Sequence, residues 1–291
     1  MAKHQGLTGI LLAATLAAAP AAGALAQDTA AADKPTLMVC ADPENLPYSN
    51  KAGEGFENKI AALIAADMHM GVEFFFFPEH KTFLRRTLND GACDLVVSVP
   101  AGMRQIAQTR PYFASSYVAI TRADDKRHFT SFDDAWLRDA SIGLQLVGNE
   151  GATTPPAVAL SRRGVVQHIT AFPMWAEEGV ASPQGKIVDA VADGSIDVAF
   201  VWGPFAGYFA RAHGAALRLE QIAADPAMPG VPFEFQMTMG VRKKDLALRD
   251  QVQDAIGRHT AEIAAILHDY GVPIAAAPLA SASAAPTQQI Q

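Results

Sequence analysis

The feature that most restricts the fold of this chain is a peptide pattern that occurs twice. Residues 84–97 read LRRTLNDGACDLVV, and residues 187–200, which begin 103 positions later, read IVDAVADGSIDVAF. In both, apolar residues at helical spacing lead into an Asp-Gly pair, a second aspartate and a β-rich apolar run. Glycine often ends a helix because it takes a positive φ without steric penalty. The apolar run is typical of a parallel strand buried on both faces. The repeat therefore predicts two lobes built on one α/β plan.

The order of the other segments supports two such lobes. Strand-like runs separated by helical segments occur at 36–41, 72–78 and 93–100, and again at 141–147 and 165–172 before the second repeat. This alternation of strands and helices is typical of a mostly parallel sheet flanked by helices.

Two more β-runs, SYVAITR (116–122) and FEFQMTMGVR (233–242), bracket the second lobe. We therefore predict a two-strand hinge, with a ligand-binding crevice between the lobes. The predicted limits are 36–118 and 236–273 for lobe 1, and 124–230 for lobe 2.

Both ends of the chain read as segments outside the folded lobes. Lys3 is followed by the apolar run TGILLAATLAAAPAAGALA, and Ala24-Leu25-Ala26 fits a small-residue cleavage site. We predict that residues 1–26 are a secretory signal peptide and that the mature protein is periplasmic. No later segment is apolar enough over a sufficient length to span a bilayer. The tail at 274–291 is rich in Ala, Ser, Pro and Gln and is predicted to be disordered.

Charge and motifs argue against several classes of function. The net charge is −7 without a basic stripe, which argues against a nucleic-acid partner. The eight histidines show no zinc-site spacing, and no GxSxG, P-loop or GxGxxG motif occurs. The triplet Met68-His69-Met70 could bind copper, but one triplet without a second cluster is more typical of a helix end. We therefore expect no cofactor, no metal and no catalytic residues.

The two cysteines, Cys40 and Cys93, leave one question open. An oxidising compartment favours a disulfide between them. However, Cys40 falls near the end of a predicted strand and Cys93 at the start of its neighbour. A difference in level could separate their Cα atoms by more than about 7 Å, which would exclude a bridge. The sequence does not decide between the two.

Several phrases resemble the type II periplasmic solute-binding proteins. They include GFENKI, DGACDLV, TRPYFASSYVAITR and the closing LRDQVQDAIGRHTAEIAAILHDYGVP, and the likeness covers about 36–273. The phrases VCADPENLPYSN, ATTPPA and IVDAVADGSIDVAFVWGPFAGYF are most similar to one branch, the solute-binding-like proteins associated with quinoprotein (PQQ-dependent) methanol dehydrogenases. This resemblance implies a non-catalytic periplasmic protein. It would serve a quinoprotein methanol or alcohol dehydrogenase, or its cytochrome c, in maturation, activation or partner binding.

The predicted crevice is poorly equipped for a small zwitterion. Amino-acid receptors of this fold hold the ligand carboxylate with an arginine and helix N–H groups, whereas Pro155, Pro156 and Pro204 offer no N–H. Proline also simply starts helices well, so each proline alone fits either interpretation. Trp202-Gly203-Pro204 stands where a receptor might place a carboxylate. The residues predicted to line the crevice are Asp42, Leu46, Tyr48, Phe56, Pro100, Arg104, Arg110, Asn149, Thr153, Trp202 and Pro204.

Two other functions remain open at this point. The chain could be the receptor of an ABC importer for a small, largely apolar or aromatic solute, with Arg104 or Arg110 as an anion anchor. The spacing from Arg104 to Pro111-Tyr112 is shorter than in amino-acid receptors, which argues against that role. A periplasmic dehydratase of cyclic acids on the same fold is the third interpretation.

Overall fold

The computed structural model describes residues 34–79, 81–146, 153–174, 182–222 and 224–275. The predicted signal peptide, Asn149 and all but the first two residues of the predicted tail lie outside the described residues. Within them, no helix combines the length and the apolar character needed to cross a bilayer.

The strands of the described chain are short and are separated by helices and loops. In chain order they are β1 (Thr36–Ala41), β2 (Glu44–Asn45), β3 (Ser49–Asn50), β4 (Gly71–Phe76), β5 (Leu95–Pro100), β6 (Ala107–Gln108), β7 (Phe113–Arg122), β8 (Ile142–Leu146), β9 (Ile169–Pro173), β10 (Val198–Trp202), β11 (Leu217–Ile222) and β12 (Glu234–Val241).

The helices flank these strands and carry the apolar faces that the sequence pattern indicates. They are α1 (Phe56–Asp67), α2 (Pro155–Arg162), α3 (Lys186–Ala192), α4 (Gly203–Ala210), α5 (Leu246–Arg258) and α6 (Thr260–Asp269). Shorter helical turns occur at Arg85–Asn89 (π-helical) and at Ala135–Arg138, Pro183–Gly185 and Arg211–Ala216 (3₁₀).

The strands hydrogen-bond in the order β4-β1-β5-β12-β7-β10-β8-β9, with β6 added beside β12 and β11 beside β7. The pairs β1–β4 and β1–β5 are parallel, as are β10–β8 and β8–β9. Strands β7 and β12 run antiparallel to each other and connect the two parallel groups. The predicted fold, two lobes joined by two strands, is therefore confirmed.

Strand β7 changes partners along its length. Its first residues, from Phe113 to Ser116, pair with β12, and its residues from Tyr117 onward pair with β10 and β11. This change of partners falls close to the predicted end of lobe 1 at residue 118. The lobe limits given above stay a prediction.

The repeated peptide forms equivalent turns in the two lobes. Gly91 and Gly194 end the preceding helices with φ of 81° and 83°, a conformation that suits glycine. The N–H of Asp94 donates to Met38 O at 2.7 Å, and the N–H of Asp197 donates to Ser141 O at 2.8 Å. The second aspartate of each repeat therefore joins the start of its strand to the neighbouring strand.

The cysteines are joined in a disulfide with a Cα–Cα distance of 5.4 Å. The register explains why the strand levels match. Val39 lies opposite Leu95 and Cys40 opposite Val96, so the end of β1 runs beside the start of β5. The two cysteines therefore lie at nearly the same height in the sheet, and the separation of more than about 7 Å that would exclude a bridge does not occur.

Candidate functional site

The loop after β1 forms one edge of the crevice, and its own hydrogen bonds hold it in place. Asp42 accepts the N–H of Glu44 at 2.8 Å and the N–H of Glu79 at 2.5 Å, and the Ser49 hydroxyl donates to the Asp42 carbonyl at 2.9 Å. Asp42 therefore braces this loop. Leu46, which precedes a cis proline, is half-buried in the same loop.

Tyr48 and Trp202 meet across the crevice. The indole Nε1–H of Trp202 donates to the Tyr48 hydroxyl at 2.5 Å, and only 8 % of Tyr48 is exposed. The Trp202 ring also packs edge-on against Tyr117 and Phe235, with centroid distances of 5.4 and 5.7 Å. Burial raises the pKa of Tyr48 well above its usual value, so the phenol stays protonated. The two residues are therefore partners of each other.

Two further contacts join the same edges. The ring of Phe205, in the first turn of α4, lies 5.3 Å from the ring of Tyr48. On the other side, the Gln184 amide donates to the Glu44 carbonyl at 3.0 Å. Aromatic side chains from lobe 2 thus pack against the core of lobe 1.

Two of the residues predicted for the crevice wall are buried behind it, which corrects the sequence prediction. Phe56 is fully buried and packs against Tyr48 at 4.7 Å and edge-on against Phe113 at 6.4 Å. Pro204 is buried in the first turn of α4. Each begins a helix whose first turn packs inward, so its side chain supports the wall without forming its surface.

The remaining predicted residues are spread over the surface. Pro100, Arg104, Arg110 and Thr153 are exposed. The backbone N–H of Arg110 donates to the Gln253 side chain of α5 at 2.6 Å, which places Arg110 beside that helix. Among the described residues, neither guanidinium makes an ion pair, and the structure does not bring Arg104 and Arg110 together with Trp202.

A group of carboxyls lies near the first loop. Asp42 and Glu57 are expected there from the sequence, but Glu79, which follows β4, is not. Burial and the Glu79 charge raise the pKa of Glu57 to about 8. Burial and the Asp42 charge raise the pKa of Glu79 to about 7. Closely spaced carboxyls resist ionising together, because each negative charge disfavours the next. Across the described part of the chain, no group of three or more His, Cys, Asp or Glu residues is arranged to hold a metal.

Next to this group, the Tyr112 hydroxyl lies 2.9 Å from the Ser98 hydroxyl and donates to the Val97 carbonyl at 3.0 Å. Burial raises the pKa of Tyr112, so it acts as a neutral hydrogen-bonding group. A shallow groove of 430 Å³ opens beside Ser98 and Glu79. The groove lies on lobe 1, away from Trp202.

In the described part of lobe 2, the first turns of the helices are poor in N–H donors. Helices α2 and α4 both begin with proline in the first turn, which fits either interpretation given above. The side-chain amide oxygen of Gln145, Oε1, accepts the backbone N–H of Trp202 at 2.7 Å. Gln145 Nε2 and Thr154 Oγ1 are buried and have no hydrogen-bond partner within the described ranges.

Comparison with known proteins extends this description over almost the whole chain. Residues 37–272 match the family described as bacterial extracellular solute-binding proteins, family 3. The chain is 31 % identical to protein MoxJ of Methylorubrum extorquens over 289 residues, which cover 92 % of this chain and 94 % of MoxJ.

Two crystal structures show the same architecture. MxaJ from Methlophaga aminisulfidivorans MPT is 26 % identical, with a TM-score of 0.71 over 82 % of this chain and 100 % of MxaJ. The periplasmic binding protein XoxJ from Methylobacterium extorquens AM1 is 29 % identical, with a TM-score of 0.67 over 83 % of this chain and 100 % of XoxJ. The resemblance predicted from the sequence is confirmed, and this chain belongs to family 3 of the bacterial extracellular solute-binding proteins.

Proposed function

We propose that this protein is a non-enzymatic periplasmic accessory protein of a quinoprotein methanol or alcohol dehydrogenase. It would act by contacting the dehydrogenase or its cytochrome c during maturation or activation. The proposal is supported by similarity to MoxJ, MxaJ and XoxJ along nearly their whole length, together with the resemblance that the sequence itself carries.

The observation that carries the proposal is the Tyr48–Trp202 contact. A solute receptor needs polar anchors in its crevice, since each unpaired buried polar group costs about 1–3 kcal/mol. Here three aromatic residues fill the crevice and contact one another: the Trp202 indole donates to the Tyr48 hydroxyl, and the Phe205 ring packs against Tyr48. The loss of two anchors, at about 1.4 kcal/mol per tenfold, would turn a micromolar receptor into one that binds near millimolar or more weakly.

A second function, that of an importer receptor, is supported by two features. One is the cluster of acidic residues near the first loop of lobe 1. The other is the pair of buried polar atoms in lobe 2 that have no hydrogen-bond partner among the described residues. A cationic group would lower the raised pKa values of Glu57 and Glu79 and bind their carboxylates, and Gln145 Nε2 could donate to an anionic group. The two features belong to opposite lobes, so a solute would have to displace the aromatic contact between them. We therefore rank this function second.

Affinity purification from periplasm tests the first function. The tagged protein is expected to co-elute with a quinoprotein dehydrogenase subunit or a cytochrome c. Trp202→Ala should reduce that yield more than Arg104→Ala, because Trp202 joins both lobes whereas Arg104 is exposed. Circular dichroism of both variants controls for misfolding. Equal yields from the two variants would remove Trp202 from the proposal.

Calorimetry against a panel of amino acids and sugars separates the two functions. We expect no binding tighter than millimolar. A single micromolar ligand whose binding is lost in Arg104→Ala would contradict the accessory function and support the importer receptor.

Export is part of this proposal. The segment before Gln27 would be removed as a signal peptide, so N-terminal sequencing of periplasmic material should begin at or near Gln27. Mature protein that still contains Leu11 would contradict it.

A further inference from the structure

A second contact between the lobes lies along α4, which begins directly after Trp202. Gly207 in α4 packs against Gly271, the residue that follows α6 with a φ of 69°. A methyl group on Gly207 would overlap the carbonyl oxygen of Gly271, and a methyl group on Gly271 would lie 2.9 Å from the carbonyl oxygen of Gly207. The two backbones therefore touch directly. We call this pair the glycine contact.

Aromatic rings flank the glycine contact. Tyr208 of lobe 2 stacks on Tyr270 of lobe 1, with ring centroids 5.8 Å apart and planes 15° from parallel. The Tyr270 hydroxyl donates to the Glu54 carbonyl, and the Lys59 ammonium sits 4.9 Å from the ring centre. Tyr270 is thus held on lobe 1 by two kinds of contact, a hydrogen bond and a cation–π contact.

Residues 271–275, which follow α6, complete this contact. The Ser115 hydroxyl of β7 donates to the Pro273 carbonyl at 2.6 Å, and the Ala275 N–H donates to the Ala114 carbonyl at 2.9 Å. Gly203 of α4 is pressed against the same strand, where an added Cβ would lie 2.6 Å from Ser115 Oγ. The first turns of α4 are therefore enclosed between β7 and residues 271–275.

We propose that the protein's own side chains and the segment 271–275 hold the two lobes closed, so that closure needs no solute. A receptor that closes around its ligand uses the ligand to supply the contacts between its lobes. Here the Tyr48–Trp202 bond, the Gln184–Glu44 bond and the glycine contact supply them. This inference goes beyond the proposed function, because it does not depend on which partner the protein meets.

Distances between spin labels on the two lobes test this inference. Both native cysteines are in the disulfide, so labels attach only to introduced thiols at exposed positions, Ala52→Cys in lobe 1 and Arg162→Cys in lobe 2. The mature protein should give one narrow distance distribution that does not change when a panel of amino acids and sugars is added. A broad distribution that narrows with one solute would overturn the inference.

Gly207→Ala sharpens the test, because the added methyl must push the lobes apart and should give a longer and broader distribution. Gly257→Ala is the matched control, since no atom lies within 4 Å of its added Cβ. If Gly207→Ala fails to fold, Trp202→Phe replaces it, because it removes the indole donor but keeps an aromatic ring, and should broaden the distribution less. An unchanged distribution in every folded variant would also overturn the inference.

Co-elution of a dehydrogenase, measured on the same labelled protein, keeps the two proposals distinguishable. A closed protein that captures no quinoprotein or cytochrome would reject the proposed function and leave constitutive closure intact. An open, solute-responsive protein that still captures the dehydrogenase would do the reverse.

Discussion

The starts of the two repeated strands are built alike, and their crevice ends are not. At the starts, residues 103 positions apart occupy equivalent places in the two lobes. The pairs are Met38 with Ser141, Cys40 with Gly143, Cys93 with Ile196, and Asp94 with Asp197. Each aspartate accepts the N–H of the neighbouring strand, at 3.2 Å in lobe 1 and 2.9 Å in lobe 2.

An arginine at the end of each connecting strand meets the aspartate. Arg242, after β12, pairs with Asp94 at 2.7 Å and also donates to the Cys93 carbonyl. Arg122, at the end of β7, lies 3.6 Å from Asp197 and donates to the Ile196 carbonyl at 3.0 Å. The two connecting strands therefore fasten to the two lobes in the same way.

The two lobes differ in the contact that joins the paired strands next to Asp94 and Asp197. These strands are β1 and β5 in lobe 1, and β8 and β10 in lobe 2. In lobe 1 it is the Cys40–Cys93 disulfide. In lobe 2 the equivalent residues are Gly143 and Ile196, and the isoleucine side chain fills the space over the glycine. A covalent bond and an apolar contact thus occupy the same place.

The crevice ends differ in the contacts that they make. The equivalent of Trp202 is Val99, which is buried within its own lobe, whereas Trp202 reaches across to Tyr48. The comparison teaches that the strand starts keep one arrangement in both lobes, whereas the residue at the strand end packs within its own lobe in lobe 1 and reaches the other lobe in lobe 2.

The largest expected effect is loss of the disulfide. Replacing Cys40 and Cys93 by serine should lower the free energy of unfolding by about 4 kcal/mol, because the bond closes a loop between cysteines 53 positions apart. Urea unfolding of the variant and of the reduced wild type should then agree. A loss below about 1 kcal/mol would show that the disulfide of lobe 1 stabilises the fold little more than the apolar Gly143–Ile196 contact at the equivalent place in lobe 2.

Gly143→Ala should have the next largest effect. The new Cβ would lie 2.6 Å from Ile196 Cδ1, and such overpacking costs about 2 kcal/mol. Ile196→Val removes that Cδ1, so the same glycine change should cost less than half as much in the valine background. A double-mutant cycle measures this coupling. Equal costs in both backgrounds would contradict the proposed contact.

Asp197→Asn should lower the free energy of unfolding by about 1 kcal/mol at pH 7, since one charged hydrogen bond to a partly exposed arginine is lost. Burial opposes ionisation of Asp197, but the Ser141 N–H and Arg127 outweigh it and lower its pKa. A carboxyl whose pKa is lowered by folding stabilises the fold at pH values above its pKa in the unfolded chain. That stabilisation is lost as the pH falls through its pKa in the folded protein. Thermal unfolding from pH 7 down to pH 2 should therefore bring variant and wild type together.

The smallest effect is expected at the crevice end of lobe 1. The pKa of Glu57 is raised to about 8 and that of Glu79 to about 7, so the folded state holds protons that the unfolded chain has released. This stabilising contribution is complete below about pH 4.5 and is lost as the pH rises to about 8.

Glu57→Gln should flatten the dependence of melting temperature on pH between 5 and 8, because the amide binds no proton in this range. The change should be small because solvent reaches the half-buried Glu57. Asp250→Asn, a change at an exposed carboxyl on α5, is the control. A wild-type protein that becomes more stable over this pH range would contradict the raised pKa values.

The sequence by itself determined the architecture. Helix periodicity, the Asp-Gly turns and the apolar runs are properties of segments about fifteen residues long, and they predicted the repeat, the connecting strands and the order of the elements. Gly91 and Gly194 take the predicted positive φ because that conformation is chosen locally. The solute-binding family was recognisable for the same reason, since its phrases lie within such segments.

Only the tertiary structure decided how the lobes meet. Tyr48 and Trp202 are 154 positions apart, and nothing in either segment states that an indole will donate to that phenol. The same holds for Gly207 with Gly271 and for Glu57 with Glu79, whose neighbours are set by the packing of whole elements. Phe56 was misplaced for this reason: its helix start was recognisable, but the direction of its side chain depends on what the helix packs against. Local conformation is encoded within a segment, whereas contacts across the crevice depend on the register and docking of two lobes.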